Sequence, residues 1–467
     1  MSLIETNWNL MSDIVHKAIK NASKNRGLTH IEAFFTGTQT TEVTIRDSEI
    51  QSQSKLYDLG VGFRVVNADN KVGFACTNTI DENTIFETVE KATAIAKVSS
   101  EVPNFSLPEL TPLPNVSGLF DSQIDEITVD KAVNVAKRAV SAAEDFDKRV
   151  IVKSGSVTFT SGWRGIINSL GVDFEEQETK AVLYLGGSGQ QSGESTGSCY
   201  DIMFSRQVEL EPEKVGKNVG KSVIQMFDKQ PVENFEGTVI FDPVAVSYQL
   251  MSVLVDALKG EHVVSGRSAW TKSLDQEVAS KNLTILDNAI LEKGFASKSF
   301  DDEGCASQKT SLINKGTLES FLHLTTSANA LKAKNTGNAS RFVGGFDVAG
   351  AIIGNGYRVK PAVYPSNLVI QPGSKTQEEL ISETNKGVLI KNMAGFPQQG
   401  SGLISAQLAR AFFIENGEIK FPIKSGMISG VAFDWFKQVS GIGKDNKQLQ
   451  NAVVPSLRIE GVKVIGA

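Results

Sequence analysis

Apolar residues along this chain change period several times, and each change marks an element. Between residues 7 and 24, Leu10, Ile14, Val15 and Ile19 recur at helical spacing and predict an opening amphipathic helix. The runs IEAFFTG, TEVTIRDSEIQSQS, GVGFRVVNA and KVGFACTN follow, rich in β-branched and aromatic residues and separated by Asn, Asp and Gly. They predict successive strands of an antiparallel meander. Helical period returns in IFETVEKATAIAKV behind the capping cluster Asp81-Glu82-Asn83, giving a helix to cover the sheet. Pro103, Pro108, Pro112 and Pro114 make residues 101–127 an irregular connector. Beyond it the pattern predicts a helix over VDKAVNVAKRAVSAAEDF and a long β region with a hairpin at Ser169-Leu170-Gly171. The polar segment QQSGESTGSCYD and a helix over PEKVGKNVGKSVIQMFDK come next.

The stretch from Gly237 to His262, GTVIFDPVAVSYQLMSVLVDALKGEH, reads as a buried strand running through Asp242-Pro243 into a helix. From Val244 to Leu258 apolar residues go almost all the way round, leaving Gln249, Ser252, Asp256 and Lys259 as a polar stripe. That describes a central helix with one narrow face turned to solvent or to a cavity. After Gly260 the chain is β-rich and punctuated by glycine, with no clear linker. The expected class is α+β: an N-terminal, helix-covered, mostly antiparallel sheet domain, and a larger β-rich C-terminal domain around a central helix. The expected divisions are 1–100, the connector 101–127, a continuation of the N-terminal region over 128–235, and the C-terminal domain 236–467.

Composition narrows the function. A chain of 467 residues with 40% hydrophobic content can bury a large core. Its net charge of -6, with both signs mixed along the sequence, offers no basic stripe, so no nucleic-acid partner is expected. Cys76, Cys199 and Cys305 are odd in number and widely spaced, which disfavours disulfides and metal knuckles. The start is too polar for a signal peptide and no apolar run is long enough to span a membrane, so the expected compartment is the cytoplasm.

Few residues invite chemistry. The glycines of GVGFRVV and VGFACTN lack the spacing and the Lys of a phosphate loop. His16, His30, His262 and His323 lie far apart with no carboxylate at metal spacing, so structural roles are favoured, including for the pair Glu261-His262 in the turn after the central helix. Ser252 with Asp256 lacks a histidine base, and a solvated helix face is the better reading. Asp301-Asp302-Glu303 could hold a hard cation through its oxygens but lacks the spacing of a calcium loop. The glycine-rich loop from Gly395 to Gly402 has amides suited to an extended peptide, making Gly395, Gln398, Gln399 and Gly400 the candidates for substrate contact. A plain surface hairpin is the commoner explanation of such a loop.

Several phrases occur in an order that carries a family resemblance: Asn168-Ser169-Leu170-Gly171, Phe300-Asp301-Asp302-Glu303-Gly304 with Asn314-Lys315-Gly316, Thr336-Gly337-Asn338, and Glu415-Asn416-Gly417-Glu418-Ile419 running into FPIKSGMISG. The chain resembles the TldD/PmbA (TldD/TldE) group, once labelled modulators of DNA gyrase and regarded as metallopeptidase subunits. That resemblance implies a zinc-binding HExxxH motif on the central helix of the metal-bearing subunit, with a Cys near its C-terminus. Aligned on Gly260, the motif falls at Met251, Ser252 and Asp256, and the tail has no cysteine. No catalytic residue, metal site or cofactor is therefore expected in this chain, and zinc is expected in the partner. The resemblance implies the metal-free, TldE/PmbA-like half of a heterodimer that encloses a cavity and cleaves small or unfolded peptides. The alternative is a homodimeric peptide-binding or scaffold protein without catalytic activity. Direct modulation of gyrase gains nothing from the acidic charge balance.

Overall fold

The computed structural model describes residues 3–24, 27–191, 193–341 and 356–466. Ser192 of the polar segment, residues 342–355 of the β-rich stretch and the terminal Ala467 lie outside the described residues.

A two-residue turn organises the N-terminal sheet. Asp47 and Ser48, with φ of 45° and 67°, join β1 (Leu28–Arg46) to β2 (Glu49–Asn67). Two positive φ values in succession are what a tight hairpin between right-twisted strands requires. Each strand is 19 residues long, and β1 absorbs IEAFFTG and the start of TEVTIRDSEIQSQS, which the sequence pattern separates. The chain does not turn at Gly37 because that residue is paired on both sides, with Leu59 and with Trp163. Gly37 serves packing instead: a Cβ there would sit 2.5 Å from Leu59 Cδ1 and 3.2 Å from Trp8 Cε3.

The seven-stranded sheet continues with β3 (Val72–Thr77), β4 (Val150–Asn168), β5 (Asp173–Gln191), the short β6 (Glu194–Ser195) and β7 (Cys199–Ser205), in the order β3-β2-β1-β4-β5-β6 with β7 also on β5. Every pairing in it is antiparallel, and strands from before and after the proline connector lie side by side. The hairpin at Ser169-Leu170-Gly171 joins β4 to β5, and the Asn168 carboxamide oxygen accepts from the Leu170 and Val172 amides.

Helices α1 (Leu3–Ala22) and α2 (Glu82–Val98) bury Trp8, Ile14, Val15, Ile85 and Val89 against Phe35 and Phe63. Asp81 caps α2 by accepting from the Thr84 amide. The connector is not wholly irregular: Asp121 caps one short helix, α3 (Ser122–Asp125). Helices α4 (Val129–Glu144) and α5 (Pro212–Ile224) share a second core with Val157, Phe159 and Leu183. Helix α5 ends earlier than its sequence pattern, because the chain turns away and Asp228 adopts φ 56°.

Strand β8 (Phe235–Phe241) opens the β-rich C-terminal part. It pairs in parallel with Lys386–Ala394 and antiparallel with Leu457–Gly466. The latter pairs with Gly426–Val431, that strand with Leu403–Glu415, and Leu403–Glu415 returns to Lys386–Ala394, so five strands close a ring. A second, six-stranded sheet contains Ile285–Asn288, Lys309–Asn314, Leu368–Ile370 and Ala452–Val454. Alternate residues of β8 serve different cores. Val239 and Phe241 pack with the central helix, while Ile240 joins Leu389, Phe412 and Ile414 in the core of α4 and α5.

The acidic phrase after Phe300 locks the two parts together. Glu32 on β1, fully buried, bridges Arg64 at 2.6 Å and Arg341, and Arg64 continues to Glu303 at 2.9 Å. Asp302 takes Arg164 at 2.7 Å and Lys298 at 3.3 Å, and Arg164 also reaches Glu176 at 3.2 Å. Asp301 accepts from the amides of Glu303, Cys305 and Ala339. With arginines and amides holding these oxygens, the cluster is an interdomain clamp and not a cation loop. Nearby, burial pushes the Glu178 carboxyl up, but Lys180, Arg206 and Arg164 draw it further down, to about 2.

Candidate functional site

The central segment leaves β8 at Asp242, whose carboxylate accepts from the Val244 amide, with Pro243 as first helical residue. One turn is α-helical (α6, Pro243–Ala245), and Val246–Leu250 then forms a π-turn in which the Met251 amide bonds to the Val246 carbonyl. Ordinary α-helix resumes as α7 (Met251–Leu258). Lys259 is extended, with φ -68° and ψ 117°, and bridges to Leu322 before α8 (Gly260–Val264) begins. The polar stripe is therefore shorter than a uniform 3.6-residue period implies, since Lys259 has left the helix.

The expected open face is enclosed. Gln249 and Asp256 are buried and Ser252 is half-buried. Ser252 Oγ donates to the Gln249 carbonyl at 2.9 Å, a local bond that directs its proton away from any dyad with Asp256. Asp256 Oδ1 lies 3.0 Å from His262 Nδ1, so Asp256 has a histidine partner where a solvated face is expected. Glu261 and His262 belong to the first turn of α8 and not to a turn after the helix, and Glu261 Oε2 accepts from the Val363 amide at 2.9 Å. Met251, 3% exposed, packs in the main hydrophobic core.

These residues do not fit zinc. A thioether held in an apolar core is a poor ligand for it, Ser252 is committed to the backbone, and Asp256 and His262 make only a pair. Among the described residues no three His, Cys, Asp or Glu side chains gather as ligands. Grafting the motif as Met251→His, Ser252→Glu and Asp256→His is expected to yield no stoichiometric zinc by equilibrium dialysis, because it supplies imidazoles without the groups that orient them. It also removes the partner of His262. Tight zinc binding with chelator-sensitive peptidase activity in that variant would overturn the assignment.

The remaining histidines are scattered. His16 pairs with Asp173 at 3.0 Å on the surface, and the ring of His30 is half-buried with no partner at Nδ1. His323 is buried beside Gly260, where a Cβ would come within 2.3 Å of its Nδ1. Burial lowers its pKa to about 4. Gly260 is thus required by the close approach of that ring.

The loop of substrate-contact candidates is the hairpin between Lys386–Ala394 and Leu403–Glu415. Gln249 of the π-turn donates to the Gly395 carbonyl at 3.2 Å, which ties the hairpin base to the central segment. Gln398 turns inward on the loop itself: its amide donates to Leu403, its carbonyl accepts from Gly402, and its side chain accepts from Ser401. Gly395, Gln398, Gln399 and Gly400 are all exposed, as is Phe396 at 72%. The structure thus brings Gly395 to the central segment and leaves Gln399 and Gly400 at the tip. The Asp256–His262 and Gln249–Gly395 contacts were missed by sequence reasoning. The first carried only the signal of a histidine six residues beyond the aspartate, and the second carried none.

Three family models match the chain: the PmbA/TldA metallopeptidase domain 1 over residues 31–96, the central domain over 122–227 and the C-terminal domain over 235–466. The metalloprotease PmbA of Escherichia coli O157:H7 is 26% identical over 99% of this chain and 98% of its own length. A metalloprotease TldD homolog of Buchnera aphidicola is 24% identical over 90% of this chain and 89% of its own. The crystal structure of TldE from Thermococcus kodakarensis superposes with a TM-score of 0.88 at 22% identity, covering 97% of this chain and 100% of that one.

Proposed function

This chain belongs to the PmbA/TldA metallopeptidase family, and from that membership we propose that it is the metal-free, TldE/PmbA-like subunit of a two-chain peptidase. The observation that carries this reading is the state of the central segment. Where the metal-bearing subunit is expected to present two imidazoles and a carboxylate, this chain presents a core methionine, a serine bonded to its own helix and an aspartate bonded to His262. A zinc-bearing partner would supply Lewis-acid activation of the scissile carbonyl. The contribution of this chain is architectural: it encloses the peptide, excludes folded proteins and orients an extended segment through main-chain contacts. The Gly395–Gly402 hairpin is the element proposed to meet the peptide, through the exposed backbone of Gln399 and Gly400. The cytoplasm is the proposed compartment.

The test is reconstitution. Incubated with an unstructured peptide, this chain alone should show no chelator-sensitive cleavage, and cleavage should appear when a homologue carrying HExxxH is added. Stoichiometric zinc and activity in the isolated chain would refute the reading. A stable homodimer that stays inactive and unmixed with the homologue would favour a scaffold instead.

A further inference from the structure

A cavity of about 600 Å³ lies where α5, the start of the central segment and the strands Lys386–Ala394 and Leu403–Glu415 meet. Its lining holds one more basic than acidic side chain. Several of the acids are already engaged: Asp201 with Lys447 at 2.7 Å and Asn218 at 2.8 Å, Asp445 with Ser456, and Asp242 with the helix start.

Arg410 is the unusual member. It is only 7% exposed, and its Nε is buried without a hydrogen-bond partner. Its Nη1 reaches the Tyr200 carbonyl at a long 3.5 Å, and the guanidinium also meets the Cys199 thiol, a weak and neutral acceptor. Four other buried arginines, Arg64, Arg164, Arg206 and Arg341, each pair with a carboxylate. Among the described residues Arg410 has none. A desolvated guanidinium left without an anion is costly, which makes it a candidate for a ligand's anion.

Local backbone geometry adds a second cation. Ile390 pairs with Ala411 and Asn392 with Arg410, so Lys391 is the extra residue of a β-bulge opposite that arginine. A bulge re-aims a side chain, and here it brings Lys391 into the same cavity. Lys391 makes no ion pair among the described residues. Burial lowers its pKa, Asp242 and Glu378 raise it, and Arg410 and Lys221 lower it, so Lys391 feels both cations and carboxylates across the cavity.

We propose that this cavity binds a small carboxylate, received by the fork of Arg410 and the ammonium of Lys391. Arginine presents parallel N–H donors that match the two oxygens of a carboxylate, and a single negative charge balances the lining. The carboxylate can come from a free acid or from the C-terminus of a short peptide. The second source rests on the peptidase reading above.

Isothermal titration of the whole chain at constant ionic strength separates the sources, using propionate, tri-alanine and tri-alanine amide. Saturable binding of propionate or tri-alanine is expected, with none by the amide. Arg410→Gln and Lys391→Gln should each weaken binding at least tenfold. Tri-alanine binding at least tenfold tighter than propionate assigns the site to peptide termini, and similar affinities assign it to free acids. Because Arg410 is buried, Lys391→Gln carries the test should Arg410→Gln fail to fold. Absence of saturable binding by both acids, equal binding of the amide, or unchanged affinity in folded Lys391→Gln overturns the proposal. None of these outcomes touches the metal-free assignment, which is read from zinc and cleavage.

Discussion

Replacing Glu32 by alanine should lower the free energy of unfolding by about 3–5 kcal/mol, read as a shift of the urea midpoint at neutral pH. Glu32 is fully buried on β1, and its two oxygens serve Arg64 and Arg341. Without it Arg64 keeps only Glu303, and Arg341 is left with the carbonyls of Asp302 and Val359. The cost comes less from the attraction lost than from leaving guanidinium charge uncompensated in a region closed to water. Glu32→Gln keeps the shape and removes the charge, so it should reproduce most of the loss. Stability within about 1 kcal/mol of wild type in both variants would show that water reaches the arginines.

Acid should act on His323 in a way that a substitution exposes. Its folded-state pKa of about 4 lies below the ordinary 6.5 because the ring is buried. The unfolded chain therefore binds the proton more readily. The contribution of the neutral ring is fully present above pH 6.5 and is lost as pH falls towards 4, amounting to about 3 kcal/mol by pH 4. Other groups titrate in the same window, among them Asp287, whose pKa burial raises to about 6. Comparing wild type with His323→Gln at each pH cancels them. The stability advantage of wild type at pH 7 should shrink by about 3 kcal/mol at pH 4, and a difference that does not move with pH would mean that the ring is hydrated.

Sequence reasoning succeeded where the deciding interactions are local. The cap at Asp81, the passage from strand to helix at Asp242-Pro243, the helical period of α4 and the hairpin after Asn168 all rest on residues within a few positions of one another, and they stand close to where the pattern puts them. It failed where the partner is remote. Nothing near Gly37 says that a strand continues through it, because the reason lies in Leu59 and Trp163. The acidic phrase at 301–303 visibly lacks a calcium loop's spacing, but its clamp role was not legible, because Arg64, Arg164 and Arg341 come to it from remote parts of the chain. The central segment was legible as strand then helix, yet its π-turn and the break at Lys259 were not, since the latter follows from pairing with Leu322. Arg410 and Lys391 had no sequence signal, because a bulge in a strand pairing brings them together.

The alternation along β8 bears on how such a chain can be inherited. Matches to the family's central and C-terminal domains meet between residues 227 and 235, which looks like a seam where genes could be cut and joined. Yet Ile240, just past that seam, belongs to the same core as Ala136, Ala139 and Val219, while Val239 and Phe241 belong to the other. Recombination there would join halves whose side chains had never been selected to fit. The seam is a boundary in sequence only: because the two halves share a core through Ile240, exchanging one half calls for matching substitutions in the other.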